Sequence, residues 1–430
     1  MYFFYFYPVG TNRKQDSQPV LSWSLMVCMM VAFIWSRYFP HLLSVNPEDL
    51  AFYPGNGRLW TIVTAIFMHT DWLHLLGNLI YLNVFGPILE SRVGHGMFLF
   101  YVLLLGIFGN IVHGVVASLG WFGQYGVGVL GASGAIAGLL AFSLIRFHNA
   151  KVEIAWWVFA PLVGQNRAGR SKVALQLAVA LWLMLQVIHS LVASQTGASV
   201  SYGAHFGGFF MGLSLALAMG QWREGHQEGL RDKAVDYFRD GAYHASVGLW
   251  LEYLDLVPSD LTARLELARA QVLSDQTGPA TLNFQRVFNR YLHSGDVNSA
   301  LGVFKEATRA GLVAEFSPED LAKIAFFQEK QLDYSGAAKT YELLFEYHRE
   351  SNEAMRSLVR LVMLHQGKIT DPVRMRHWLA VADQELPEGG WRNFLNEEFR
   401  MEGGLGATVR QDPQADSSEA DPRQPCQPKL

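Results

Sequence analysis

Ser133 and His205 are a nucleophile and a base set in stretches that hold almost nothing else reactive. Ser133 lies in Gly131-Ala132-Ser133-Gly134, and Met97 to Ile145 around it contains no Lys, Arg, Asp or Glu. His205 lies in Ala204-His205-Phe206-Gly207-Gly208, and Val173 to Gly220 is equally free of those charges. Polar groups in such surroundings are expensive, so by default they mark function. A serine and a histidine together point to acyl transfer, with the imidazole taking the hydroxyl proton. His74 and Asn78 are four residues apart and share one helix face. They could hold an oxyanion together with the Ser133 backbone N–H at a helix N-terminus.

Each of these residues has a plainer reading as a packing or hydrogen-bonding group between helices. Context favours chemistry for Ser133 and His205. Gly131 and Gly134 bracket the serine, and Gly134-x-x-x-Gly138 makes a smooth helix face. Gly208-x-x-x-Gly212 makes a second such face one turn below His205. Small faces of this kind let backbones approach closely, which would bring the Ser133 hydroxyl within reach of His205. Ala135 stands where the nucleophile elbow of soluble hydrolases needs its last glycine, so that motif is absent. There is no H-E-x-x-H, and the fourteen histidines suggest no metal site. No Asp or Glu shares the spans of Ser133 and His205, so the base would work as a dyad without a carboxylate orienter. His69, His113 and His189 read as structural, and Glu90 with Arg92 as a local structural pair.

The elements that must position these residues read as membrane helices. Half of the 430 residues are hydrophobic and 17% are charged, with a net charge of −4 that argues for no nucleic-acid partner. The two cysteines, Cys28 and Cys426, support neither a disulfide framework nor a thiolate metal site. A span needs about 20 apolar residues, with roughly 17 as the lower limit. Six stretches are candidates: about 19–38, 71–90, 96–118, 131–147, 173–193 and 201–220. Ile154 to Gly164 is short and holds Pro161, so it reads as an interfacial piece with tryptophan anchors. The aromatic start, residues 1–18, reads as a cytoplasmic segment at the membrane interface, without the layout of a signal peptide. Arg146, Lys151, Arg167, Arg170 and Lys172 between spans four and five, Arg13 and Lys14, and the cations after Gly220 put both termini in the cytoplasm. His74, Asn78, Ser133 and His205 then share one depth, on the outer side.

After Gly220 the composition turns charged and amphipathic. Gly241-x-Tyr243, Gly295-x-Val297-x-x-Ala300-x-x-x-Phe304 and Tyr334-x-x-Ala337-x-x-x-Tyr341 resemble degenerate tetratricopeptide repeats. Residues 223–400 therefore read as a cytoplasmic helical-repeat domain, a plain helical bundle being the alternative. Such a module would serve protein recognition and have a cytoplasmic protein partner. Residues 401–430 read as a disordered tail.

With these motifs in order, residues 19–220 resemble a rhomboid intramembrane serine protease. His69-Thr-Asp-Trp-Leu-His74-Leu-Leu-Gly-Asn78 resembles the second span of that family, Gly131-Ala-Ser133-Gly134 its G-x-S-G, and Ala204-His205-x-x-Gly208-x-x-x-Gly212 its last span. The resemblance implies an all-α, six-span fold, Ser133 as nucleophile and His205 as general base and acid. It implies an oxyanion site of His74, Asn78 and the Ser133 N–H, and no cofactor. It also implies a bacterial inner membrane and single-span membrane proteins as substrates, cut near the outer leaflet. A rhomboid-like pseudoprotease that binds membrane clients without cutting them is the alternative. The chain departs from the family at Trp60-Thr61, where the family often has Trp-Arg.

Overall fold

The computed structural model describes residues 3–13, 15–55, 58–120, 128–160, 165–196, 201–313 and 316–400. The expected disordered tail at 401–430 and the uncharged loop stretches 121–127 and 197–200 lie outside the described residues. Tertiary contacts divide the chain into two units, 1–259 and 260–430.

The first unit is mostly helical. In chain order it contains β1 (Phe3–Thr11), α1 (Val20–Tyr38), α2 (Thr61–Thr64), α3 (Trp72–Val93), α4 (His95–Ser118), α5 (Ser133–Arg146), β2 (Lys151–Ala160), β3 (Gln165–Ala174), α6 (Leu175–Thr196), α7 (Tyr202–Ala218), α8 (Gln221–Arg239) and α9 (Tyr243–Leu256). Local signals set the helix ends. Asp71 caps α3 by accepting the His74 backbone N–H at 2.9 Å, and Gly94 ends it with φ 79°. Leu25, Met29 and Phe33 recur every fourth residue on α1 and are its buried apolar face.

Helix α5 is the centre of this unit. Eleven of its fourteen residues are buried, and it packs on α3, α4, α6, α7 and α8. Its tightest neighbour is α7, because glycines on both helices remove the side chains that would separate them. A Cβ on Gly208 or Gly212 would collide with the carbonyl oxygen of Gly134 or Gly138 respectively. From the other side, a Cβ on Gly138 would lie 2.8 Å from the Gly208 oxygen. Helix α6 is packed much more sparsely. Leu177, Leu181, Met184, Val187, Ile188, Leu191 and Val192 are all exposed, which is the face a helix presents to lipid.

Among the described residues four helices, α1, α3, α4 and α6, are long and apolar enough to cross a membrane, and the bent pair α7–α8 would make a fifth if it is one span. The six expected spans are all helical, but α5 has 14 residues and α7 has 17. At 1.5 Å per residue α5 is about 21 Å long, short of the ~30 Å of a hydrocarbon core. Helix α7 meets α8 at a 71° bend on Gly220, whose φ is +69°.

Of the segment expected as an interfacial tryptophan piece, residues 154–160 belong to a β-strand, and 161–164 lie outside the described residues. β1, β2 and β3 form one antiparallel sheet in that order, with Trp156 opposite Phe6 on one side and Gly169 on the other. The Trp156 ring lies over Gly169, and its Nε1 donates to Ser171 Oγ at 3.1 Å. Glu90 and Arg92 do not pair with each other. Buried Glu90 accepts from the backbone N–H groups of Leu21 and Ser22 at 2.8 Å and from Ser22 Oγ at 2.7 Å, capping α1. Arg92 bonds Asp16 and lies 3.5 Å from Glu228 on α8. Buried Arg146, at the end of α5, pairs with Glu228 at 2.5 Å.

The second unit contains α10 (Leu261–Leu273), α11 (Thr277–His293), α12 (Val297–Arg309), α13 (Pro318–Lys330), α14 (Tyr334–Tyr347), α15 (Asn352–Gly367), α16 (Pro372–Glu385) and α17 (Gly390–Arg400). Helices α10, α11 and α12 pack in succession, as do α13 to α17, and the core they share includes Phe284, Phe288, Phe304, Phe316 and Leu344. One turn recurs, with a left-handed residue followed by an N–H that reaches back five positions. It occurs at Asp275, Gly295, Gly311 and Leu332, with bonds Gln276 to Gln271 at 2.8 Å, Asp296 to Tyr291 at 3.0 Å, Leu312 to Ala307 at 3.0 Å and Asp333 to Gln328 at 2.9 Å. The same turn at Gly241 joins α8 to α9 in the first unit, 34 residues before Asp275.

Candidate active site

Three helix starts and one loop place the polar groups. Asp71 begins α3 and projects His74 and Asn78 from its first two turns. The loop before α5 is held by the Gly131 N–H, which donates to the Ala65 carbonyl at 2.8 Å, and by paired Phe52 and Val129. Gly131 has φ +114°, a conformation that favours glycine. Its bare Cα is also needed for space, since a Cβ there would lie 2.6 Å from His74 Nε2 and 3.5 Å from Asn78 Nδ2. Ser133 is therefore two residues from the point where His74 and Asn78 meet the loop. As the first residue of α5, Ser133 has a backbone N–H with no carbonyl partner inside the helix.

His205 Nε2 lies 2.7 Å from Ser133 Oγ. The interlocked glycines of α5 and α7 make this possible: Gly134 packs directly on the Ala204 carbonyl, one residue before the histidine. Tyr202 meets the His205 ring edge-on at 6.0 Å, and Trp182 of α6 lies 6.4 Å away. Ser133, His205, His74 and Asn78 all line one cavity of about 620 Å³. A neighbouring apolar cavity of about 610 Å³ shares Tyr81 and Trp182 with it, and is lined by α3, α6 and the sheet.

Two groups in this site were given no part in the chemistry from the sequence, Gln186 and His69. Gln186 of α6 places Oε1 2.8 Å from His205 Nδ1, so the histidine has a neutral partner where no carboxylate was expected. Its signal was available, since Gln186 is itself a polar residue in an uncharged apolar helix. His69, which read as merely structural, bonds Asn78 Nδ2 through Nε2 at 2.9 Å and has Nδ1 3.2 Å from the Phe67 carbonyl. Burial, and after it the nearby His74, push the His69 imidazole down to about 4. A neutral His69 donates from Nδ1 and accepts at Nε2, which fixes the Asn78 amide and leaves its second N–H for a ligand. His113 is fully buried on α4, and its backbone packs beneath Gly203 of α7.

Apolar helices around a serine–histidine pair define a multi-pass membrane protein with a polar cavity. Residues 56–222 match the family described as Rhomboid domain. The chain is 34% identical over 110 residues to "Rhomboid-like protein 11, chloroplastic" of Arabidopsis thaliana, an alignment covering 25% of this chain and 35% of that protein. It is 26% identical over 214 residues to "Rhomboid-like protease 3" of Toxoplasma gondii, covering 47% of this chain and 72% of the relative. It is 25% identical over 212 residues to "Rhomboid protease GlpG" of Salmonella paratyphi A, covering 49% and 67%. The first of these alignments spans about a third of the relative's own length.

Proposed function

We propose that the chain is an intramembrane serine endopeptidase that cleaves membrane proteins within or beside their spans. The observation that carries this reading is the 2.7 Å approach of His205 Nε2 to Ser133 Oγ at a polar cavity among apolar helices. In the proposed reaction Ser133 Oγ attacks the scissile carbonyl while His205 Nε2 takes the hydroxyl proton. The tetrahedral oxyanion is held by the Ser133 N–H, the second N–H of Asn78 and His74. His205 then returns the proton to the leaving amine, and water admitted to the cavity hydrolyses the acyl-enzyme by the same route in reverse order. The relatives named as proteases support this assignment.

In this reading both termini are cytoplasmic, the membrane is a bacterial inner membrane, and cleavage falls near its outer leaflet. Substrates are single-span membrane proteins whose apolar side chains fit the cavity between α3 and α6. For the second unit we propose protein recognition by a tetratricopeptide-like array, supported by its recurring left-handed turn. Affinity capture by residues 260–400 should retain a specific cytoplasmic protein, and capture of none would leave the unit a structural appendage.

The central test is cleavage of a model transmembrane substrate by the full chain in liposomes. Ser133→Ala and His205→Ala should each lower the rate by about 10³-fold or more. Undiminished cleavage by either variant would sink the assignment. A wild-type chain that binds the substrate and never cuts it would instead favour the pseudoprotease alternative.

A further inference from the structure

His205 is gripped at both ring nitrogens. Nε2 faces Ser133 Oγ at 2.7 Å, and Nδ1 faces Gln186 Oε1 at 2.8 Å. A carbonyl oxygen can only accept, so the proton of the neutral imidazole sits on Nδ1. Nε2 then presents its lone pair to the serine hydroxyl, the tautomer that a general base requires. We propose that Gln186 is a positioning residue that sets the tautomer and orientation of His205, an uncharged counterpart of the carboxylate in serine hydrolase triads. This inference rests on the serine protease reading above.

The surroundings explain why an amide suits the place. A carboxylate beside a histidine among apolar helices would carry a large desolvation cost, whereas a neutral acceptor orients the ring without adding charge. Gln186 comes from α6, which packs sparsely, so its bond is a polar tie between α6 and the base on α7. The titratable groups around His205 are few. Tyr202 is on α7 itself, His74, Asp71 and Tyr81 line the same cavity, and His113 lies on α4 under Gly203. His189 is the one titratable side chain on α6, and Arg146 lies at the far end of α5.

A fluorophosphonate probe tests the inference on the full chain in liposomes, because its labelling rate reports serine activation without requiring the natural substrate. Wild type should label and Ser133→Ala should not; an unlabelled wild type defeats the underlying protease reading, whatever Gln186 does. Given a labelled wild type, Gln186→Met, which fills the space and offers Nδ1 only a weak thioether acceptor, should slow labelling by about 10- to 100-fold. Its melting temperature should stay at the wild-type value. Gln186→Glu keeps the acceptor and adds a negative charge, so it should retain labelling and shift the acid limb of the pH–rate profile upward by about 1–2 units. Wild-type labelling and an unchanged profile in Gln186→Met overturn the proposal. Equal loss in Gln186→Met and Gln186→Glu also overturns it, since a structural role alone would then suffice.

Discussion

At the scale of single residues, the site assigns different tasks to chemically similar groups. His205 faces a serine, His74 lies at the glycine loop, and His69 is committed to Asn78. Because His69 occupies one N–H of the Asn78 amide, the other keeps its direction before any substrate arrives, and such preorganised donors are the effective ones. Asn78→Ala should therefore lower kcat by about 10²-fold with little change in KM, as expected for an oxyanion donor lost. Steady-state cleavage of a transmembrane substrate decides this, and an effect confined to KM would move Asn78 to ground-state binding. Ser133, His205, His74 and Asn78 were legible because polar groups stand out against uncharged apolar runs. Gln186 stood out by the same rule, yet nothing in the linear order reveals that α6 turns it toward His205. His69 lies outside the regular period of α3, so its bond to Asn78 depends on the path of the preceding loop.

At the scale of elements, close helix approach is what brings serine and histidine together. Gly208 touches the Gly134 backbone, so Gly208→Ala forces α7 away from α5 or strains both. It should destabilise the first unit by at least about 1–3 kcal/mol and lengthen the Ser133–His205 contact. Thermal melting in detergent together with fluorophosphonate labelling would register both effects, and a variant equal to wild type in each would refute the close-packing argument. In the second unit Leu332 holds φ +64° at a helix–helix turn while its side chain is 71% exposed. Leu332→Gly should relieve left-handed strain of about 1–2 kcal/mol, less the entropy that glycine adds to the unfolded chain. A net gain in melting temperature is expected, and a loss would show that the Leu332 side chain packs after all. The glycine faces and the helix positions could be read from spacing. The sheet could not, because a short apolar run such as Ile154 to Ala160 suits a helix segment or a strand equally. As the central strand it is paired on one side by β3, the next element in sequence, and on the other by β1, about 150 residues away.

At the scale of the whole molecule, composition and contacts place boundaries differently. Charge density rises after Gly220, while the contact boundary falls at Ser259. Between them, α8 pairs with Arg146 and Arg92 and buries Leu230 and Ala234, which ties it to the first unit. A chain ending at Ser259 should keep the melting temperature of its membrane helices, whereas one ending at Met219 should lose several degrees, at roughly 2–4 °C per kcal/mol. Equal melting of the two truncations would place the boundary at the composition break instead. The amino-acid order alone determined which segments are apolar, which are helical, and which few polar side chains interrupt them, because hydropathy, caps and glycine spacing are local properties. Tertiary structure alone decided the 2.7 Å approach of His205 to Ser133, the partners Gln186 and His69, the sheet, and the attachment of α8. The serine–histidine pair, the β1–β2 pairing and the α8 ion pairs join groups far apart along the chain, and His69 meets Asn78 only through the path of the loop before α3, so none of these contacts is a local property of the sequence.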